Sequence, residues 1–203
     1  MKLYYSKGAC SLAVRIIIHE LHLNSEFISV DLHTKKTEDG ENYLKINPKG
    51  SVPAMELDNH EILTENAVIM QYLADTHKAT NLLPPVGDMK RYRILEWTNY
   101  ITTEIHKSFG PFFSASYPED FRKNTLLPLL ERKFQLIEDH LKNNMYLMGD
   151  HFTLPDAYLF AMLRWLTPVA KISFDKFPNL KKYFEMMKKH KSIEISLKEE
   201  GLG

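Results

Sequence analysis

The chain has 203 residues, 44% of them hydrophobic, which is enough for one large domain or two small ones with a hydrophobic core. Its 26 basic residues balance 26 acidic ones and the pI is near 7.1, which argues against nucleic acid or an anionic membrane surface as a partner. A single cysteine cannot form an internal disulfide, and no apolar run approaches the ~18 residues of a membrane span. We therefore expect a cytoplasmic protein.

The first third of the chain has the pattern of a βαβ unit. Residues 2–6 and 27–32 are rich in β-branched and aromatic side chains, which predicts two strands. Between them, apolar residues recur at helical spacing: Val14, Ile17, Ile18 and Leu21. The two strands should be parallel, with a right-handed crossover through the helix.

A second small unit follows. Residues 54–57 and 61–64 predict two short strands, and the turn-like segment between them indicates an antiparallel hairpin. A helix over 65–77 comes next, so that residues 1–80 form one α/β domain.

Residues 79–88 contain Pro-Pro and Gly and are predicted to be a linker. The remainder, 87–203, is predicted to be an all-helical domain. Pro128 indicates that one helix begins afresh there or kinks, and Thr153-Leu154-Pro155-Asp156 has the pattern of a helix N-cap. The expected helices span 89–113, 127–142, 154–170 and 178–199.

The segment around Val52-Pro53 predicts a binding site. A proline that begins a strand has no N–H to give, so it lies at an edge or a turn. If the Val52-Pro53 bond is cis, the backbone of Val52 faces outward and can pair with an extended ligand. Glu65-Asn66 would open the next helix, whose N–H groups and dipole favour a carboxylate. With Cys10 just after the first strand, these features suggest a site for a small peptide, glutathione.

Several short motifs occur in order along both predicted domains: Gly8-Ala9-Cys10-Ser11-Leu12, Asn47-Pro48-Lys49-Gly50, Val52-Pro53-Ala54, Thr64-Glu65, Glu96-Trp97, His106-Lys107 and Asp156-Ala157-Tyr158-Leu159-Phe160. In these motifs the chain resembles the cytosolic glutathione transferases, most of all the bacterial beta class. The resemblance covers essentially the whole chain. It implies an α/β plus all-α fold, with a thioredoxin-like N-terminal domain and an all-helical C-terminal domain, and a homodimer.

The resemblance also implies a glutathione site. Pro53 would be the cis-proline, and Val52 would pair with the cysteinyl backbone of glutathione. Lys35 would meet the glycyl carboxylate, while Glu65 and Asn66 would hold the γ-glutamyl end; many relatives carry Gly or Ser where this chain has Asn66. The helical domain would contribute Asn99, Thr103, Glu104 and His106, some of them to the partner subunit.

Cys10 is the expected catalytic residue, together with His106. The start of a helix favours the thiolate form of a cysteine. As a neutral thiol, Cys10 could donate a hydrogen bond to the glutathione thiolate; as a thiolate, it would instead attack a glutathione disulfide. Other classes of the superfamily use Tyr or Ser to bind the thiol, which makes Tyr5 and Ser11 alternative donors.

The function implied is conjugation of the glutathione thiol to small hydrophobic electrophiles, with glutathione as co-substrate and no other cofactor. No metal site is expected, because His19-Glu20-Leu21-His22 lacks the histidine spacing of a zinc-binding helix. Two alternatives stay open. One is thiol–disulfide exchange or peroxide reduction through Cys10; the other is a non-catalytic protein of the same fold that binds glutathione or apolar ligands.

Overall fold

The computed structural model describes residues 1–203 and contains two compact units. The first consists of residues 1–80 with residues 190–203, and the second consists of residues 81–189. The division of the sequence into domains at 1–80 and 87–203 stays a prediction. The last 14 residues pack with residues 1–80 and so belong to the first unit.

A five-stranded mixed sheet forms the centre of the first unit, in the order β3-β2-β1-β4-β5. Strands β1 and β2 are parallel, whereas β1 with β4 and β4 with β5 are antiparallel, so the predicted βαβ unit and hairpin are confirmed. Strand β3 was not predicted, because it has only two residues and no alternation to detect. The strands are β1 Lys2–Tyr5, β2 Glu26–Asp31, β3 Lys36–Thr37, β4 Ala54–Glu56 and β5 Ile62–Thr64.

The same unit contains three helices: α1 Leu12–Glu20, α2 Asn66–Thr76 and α9 Lys191–Glu199. Helix α1 is buried from Leu12 to Ile18 and contacts both α2 and α9. The predicted helix over 178–199 is therefore wrong as a single element. It breaks at His190, whose backbone is extended (φ −69°, ψ 131°), and its second half packs against α1 as α9.

The second unit begins with a helical run that changes its hydrogen-bonding pattern. Helix α3, Met89–Tyr100, continues into a wide π-helical turn, Ile101–His106, then into the short α4, Lys107–Phe109, and a 3-10 turn, Gly110–Phe113. The predicted 89–113 segment is helical throughout. The wide turn changes which side chains share a face, and such turns are frequent at functional sites.

The next helical run starts earlier than predicted. Helix α5, Glu119–Phe121, leads through a second π-helical turn, Arg122–Leu126, into α6, Leu127–Leu141. A new start at Pro128 is therefore wrong. Proline cannot donate the α-helical hydrogen bond, and the helix reaches this point through a wider turn.

Helix α7, Leu154–Leu163, is buried over its whole length and forms the centre of the second unit. Its predicted N-cap is confirmed: Asp156 Oδ2 accepts hydrogen bonds from the N–H (2.8 Å) and the hydroxyl (2.8 Å) of Thr153. The helix ends at 163 rather than 170, and Pro168 prevents its continuation because it has no N–H to bond to Arg164 O and its ring clashes with that carbonyl. Helix α8, Pro178–Met187, completes the unit.

Candidate active site

The loop between β1 and α1 carries Cys10. The N–H of Ala9 donates to Ser6 O (3.0 Å), and the buried Ser11 hydroxyl accepts from Ser6 N–H (3.3 Å) and donates to Ser6 O (3.4 Å). The ring of Tyr5 lies 4.2 Å below the guanidinium of Arg15. Of the two alternative hydroxyl donors, Ser11 thus has hydrogen-bond partners within its own loop, and Tyr5 contributes its ring to a cation–π contact.

Cys10 lies two residues before α1 and is only 7% exposed. Its thiol donates a hydrogen bond to the carbonyl oxygen of Val52 at 3.3 Å. A thiol that donates is protonated, so a thiolate at this position would have to give up the Val52 carbonyl as its partner. The two chemical roles of Cys10 therefore correspond to two different arrangements of this contact.

Val52 lies in a loop that is stabilised by hydrogen bonds from buried side chains. The Val52–Pro53 bond is cis, as predicted. Just before it, Ser51 O accepts hydrogen bonds from the Tyr43 hydroxyl (2.8 Å) and from Asn47 Nδ2 (2.8 Å). No acceptor in the chain bonds the N–H of Val52, so that this donor is available to an extended ligand.

Tyr43 was missed by sequence reasoning. It is fully buried, and burial raises the pKa of its hydroxyl, which therefore stays a donor. Tyr43 begins a single 3-10 turn, Tyr43–Lys45, and an isolated aromatic residue there gives no signal of this role before the fold is known.

Glu65 and Asn66 begin α2. The N–H groups of Val68 and Ile69 both bond to Glu65 O, which leaves the N–H groups of residues 66 and 67 directed out of the helix start. Asn66 is 4% exposed, and its buried Oδ1 has no hydrogen-bond partner in the chain. Unpaired donors beside a buried unpaired acceptor match a ligand that carries both a carboxylate and an ammonium group.

Two lysines flank the loop. Lys35 is half-buried, and its ammonium donates to Gly50 O at 2.7 Å. Gly50 has φ +61°, and a Cβ there would lie 3.1 Å from Leu44, so this close approach requires glycine. Lys49 pairs with Glu65 Oε1 (2.8 Å) at the exposed surface.

The segment 47–53 thus connects the site residues of the first unit. Cys10 reaches it through Val52, Lys35 through Gly50, and Glu65 through Lys49. Six of the predicted site residues belong to this unit: Cys10, Lys35, Val52, Pro53, Glu65 and Asn66.

The other four predicted residues lie on the helical run of the second unit. Asn99 and Thr103 are exposed, with the Thr103 hydroxyl bonded to Asn99 O (3.0 Å). Glu104 forms an ion pair with Lys133 (3.0 Å). Asn99 takes part in these contacts only through its backbone oxygen, and its side-chain amide lies at the surface.

His106 is the most tightly oriented of the four. Its Nδ1 lies 2.7 Å from the hydroxyl of the buried Tyr158, and its ring is 5.4 Å from that of Trp165. The Trp165 ring also packs edge-on against Phe113 (5.0 Å), which is 59% exposed. An imidazole therefore borders an apolar surface that is partly open to solvent.

No group of three or more His, Cys, Asp or Glu side chains that could hold a metal ion occurs in residues 1–203. None of the helices combines the length and apolar character required to cross a membrane.

A mixed sheet with a cysteine at its first helix and a cis-proline loop bonded to that cysteine defines a thioredoxin-like thiol protein. Family models agree over most of the chain. The model for the N-terminal domain of glutathione S-transferases matches residues 8–76, and the model for their C-terminal domain matches residues 100–190.

Individual relatives agree as well. The chain is 42% identical to glutathione S-transferase GstA of Escherichia coli O157:H7 over 202 residues, covering 100% of both chains. Two solved structures each have a TM-score of 0.94 at 35% identity, with 100% of both chains covered. They are a sphingomonad glutathione S-transferase in complex with glutathione and the beta class enzyme of Sphingomonas chungbukensis. The chain therefore belongs to the glutathione S-transferase family, as an enzyme of the bacterial beta-class type.

Proposed function

We propose that the protein attaches the sulfur of glutathione to small hydrophobic electrophiles. The observation that carries this proposal is the geometry of the loop 47–53. The loop contains the unbonded N–H of Val52, and both the Cys10 thiol and the Lys35 ammonium donate hydrogen bonds to its carbonyl oxygens. In the reaction the glutathione thiol loses its proton to solvent and the thiolate attacks an electrophilic carbon. A C–S bond forms, and the leaving group departs with its electron pair.

Each part of glutathione has a counterpart in the first unit. The Val52 backbone pairs with the cysteinyl residue, and Lys35 meets the glycyl carboxylate. The N–H groups at the start of α2 receive the γ-glutamyl carboxylate, and Asn66 Oδ1 and Glu65 accept from its ammonium group. This assignment satisfies the buried acceptor of Asn66, which the chain itself leaves unpaired.

We propose two contributions from the second unit, four polar residues for glutathione and an apolar surface for the electrophile. We assign Asn99, Thr103, Glu104 and His106 to the glutathione side of the site, with His106 as a hydrogen-bond donor to the ionised sulfur. The partly exposed Phe113 beside Trp165 supports an apolar electrophile.

Thiolate formation alone accelerates the reaction little. If the site lowers the thiol pKa from ~8.5 to ~6.5, the thiolate fraction at pH 7 rises about 25-fold. Each thiolate then becomes about eightfold less nucleophilic, for a Brønsted slope near ~0.45. The net gain is about threefold, so most of the rate enhancement comes from positioning the electrophile.

Cys10 supports a second activity, thiol–disulfide exchange. As a thiolate, Cys10 would attack a mixed disulfide of glutathione, form a Cys10–glutathione disulfide and release the other thiol. A second glutathione would then attack this disulfide and leave as oxidised glutathione. The 3.3 Å contact to Val52 O favours the neutral thiol, and hence conjugation, as the main activity.

A homodimer is also part of the proposal. Helix α2 exposes Val68 (45%) and Tyr72 (36%) four residues apart on one face, and α3 exposes Met89 (66%) and Tyr92 (47%). Apolar faces of this kind favour association. The lone cysteine supports a reducing compartment, and the cytoplasm is the location we propose.

The decisive experiment compares three substrates with glutathione: a chlorinated nitroarene, an organic peroxide and a mixed disulfide. We expect conjugation of the nitroarene well above the reaction of glutathione without protein, and slower turnover of the mixed disulfide. Calorimetric binding of glutathione with no turnover of any substrate would instead establish a non-catalytic binding protein.

A further inference from the structure

The residues that follow helix α9 contact the loop that carries Cys10. Glu200 Oε2 accepts a hydrogen bond from the N–H of Gly8 at 2.8 Å. The Leu202 side chain packs on Gly8: a Cβ atom added to Gly8 would lie 3.8 Å from it. Likewise, a Cβ atom added to Gly201 would lie 3.3 Å from Lys7 Nζ. Three successive residues thus lie against Lys7 and Gly8, all within the first unit.

The same carboxylate forms a buried ion pair with Arg15 of α1. Glu200 Oε1 lies 3.3 Å from Arg15 Nε, and both side chains are buried, at 0% and 2% exposure. The Arg15 guanidinium is itself held between the rings of Tyr5 (4.2 Å) and Phe27 (3.9 Å). Glu200 is therefore anchored to a side chain with little freedom to move.

Cys10 lies between the two points that Glu200 holds, Gly8 before it and Arg15 after it. We propose that Glu200 is a positioning residue for the glutathione site, which keeps the Cys10 loop in the conformation where the thiol reaches Val52 O. In its effect on catalysis this inference rests on the proposed function. Its effect on the thiol does not, because Cys10 is the only cysteine and its reactivity can be measured directly.

The neighbouring Glu199 provides a matched control. It also pairs with Arg15, through Nη1 at 2.9 Å, and with His19 at 2.8 Å, but it makes no contact with the loop. Its side chain is 40% exposed. Loss of Glu199 should therefore weaken the attachment of α9 to α1 without moving Cys10.

The test is the rate of Cys10 alkylation by iodoacetamide in Glu200→Gln and Glu199→Gln, measured well below the melting temperature of each variant. Glutamine keeps the shape of Glu200, but its one oxygen can face Gly8 or Arg15 and not both. We expect Glu200→Gln to raise the alkylation rate about tenfold, equivalent to one charge-assisted hydrogen bond of roughly 1.5 kcal/mol. The KM for glutathione should rise while that for the electrophile stays unchanged, and Glu199→Gln should change neither.

An unchanged alkylation rate in Glu200→Gln, or an equal increase in Glu199→Gln, would overturn the proposal. If Glu200→Gln does not fold, Glu200→Asp takes its place, because it keeps the charge near Arg15 but is one methylene too short to reach Gly8. A faster alkylation of the variant in a protein that shows no transferase activity would leave the positioning role intact and overturn the proposed function instead.

Discussion

The thiol of Cys10 donates to the carbonyl oxygen of Val52 at 3.3 Å, across 42 residues of sequence. The two residues that we propose to meet the cysteinyl group of glutathione are thus bonded to each other in the structure without ligand. A ligand whose cysteinyl backbone pairs with Val52 brings its own sulfur close to a thiol that can donate to it. The contact therefore makes the chemical role of Cys10 testable by substitution.

Replacement of Cys10 separates its two roles. Cys10→Ser should keep much of the conjugating activity, because a hydroxyl also donates a hydrogen bond. Cys10→Ala should lose about 1.5–3 kcal/mol, or roughly 10- to 100-fold in rate. Both variants should abolish disulfide exchange, since neither can form a mixed disulfide. Steady-state assays of the two reactions measure this, and undiminished activity of Cys10→Ala in both would direct attention to Tyr5 and Ser11.

Asn66 should show opposite effects on stability and binding. Because its buried Oδ1 has no partner in the chain, Asn66→Leu should raise the free energy of unfolding by about 1 kcal/mol. The same change should weaken glutathione binding about tenfold, because the ligand loses an acceptor. Urea denaturation and calorimetry measure the two effects.

The matched control for Asn66 is Gln71→Leu, on the same helix, whose amide bonds to Ala67 O. Its effect on glutathione affinity should be small. Equal loss of affinity in both variants would mean that α2 as a whole, rather than the Asn66 acceptor, governs binding.

Lys35 and Lys49 should differ although both lie beside the same loop. Lys35→Met should raise the KM for glutathione about tenfold and make it less sensitive to salt, because a charge-assisted contact to the glycyl carboxylate is lost. Lys49→Met removes an exposed ion pair with Glu65 and should have little effect. Kinetics at low and high ionic strength distinguish the two lysines, and a larger effect of Lys49 would contradict the assignment of Lys35.

Asp156 should dominate the stability of the second unit. It is completely buried, and its carboxylate accepts from Thr153, from Leu147 N–H (3.0 Å) and from the Tyr183 hydroxyl (2.9 Å). Burial raises the pKa of Asp156, and these hydrogen bonds oppose that rise. Asp156→Asn puts an amide donor against these donors and should cost about 3 kcal/mol of stability.

The urea midpoint measures this loss, with Asp175→Asn as control. Asp175 forms an exposed ion pair with Lys181, so its replacement should leave the midpoint nearly unchanged. Similar midpoints for both variants would show that the Asp156 network contributes little.

Association should depend on α2. Sedimentation of the protein at micromolar concentration should give a species of about twice the chain mass of 23.7 kDa. Val68→Lys should shift it toward the monomer, because a charge would enter an apolar interface. Leu136→Lys, on α6 and 51% exposed, tests whether any exposed apolar residue has this effect. A single species near 23.7 kDa for the unmodified protein would exclude the dimer.

Much of the first unit could be predicted from the sequence because its signals are local. Alternation and helical spacing within a few residues indicate β1, α1 and β2, whereas the cis form of the Val52-Pro53 bond was implied by the family resemblance. The Thr153 and Asp156 spacing likewise marks the start of α7. Each of these features depends on residues close together in the chain, so that pattern and structure agree.

Only the tertiary structure decided the features that join distant residues. The partner of Cys10, the burial of Asn66 and the packing of α9 against α1 follow from tertiary packing rather than from any local pattern. Glu200 lies 192 residues from Gly8 and 185 residues from Arg15 in the sequence. From the sequence alone, a glutamate near a helix end is expected to be exposed to solvent, and only the fold shows that Glu200 is buried. The sequence by itself determined the family and the local elements, because these depend on neighbouring residues. The contacts that hold the reactive loop in place depend on burial and on long-range pairing, which exist only once the chain has folded.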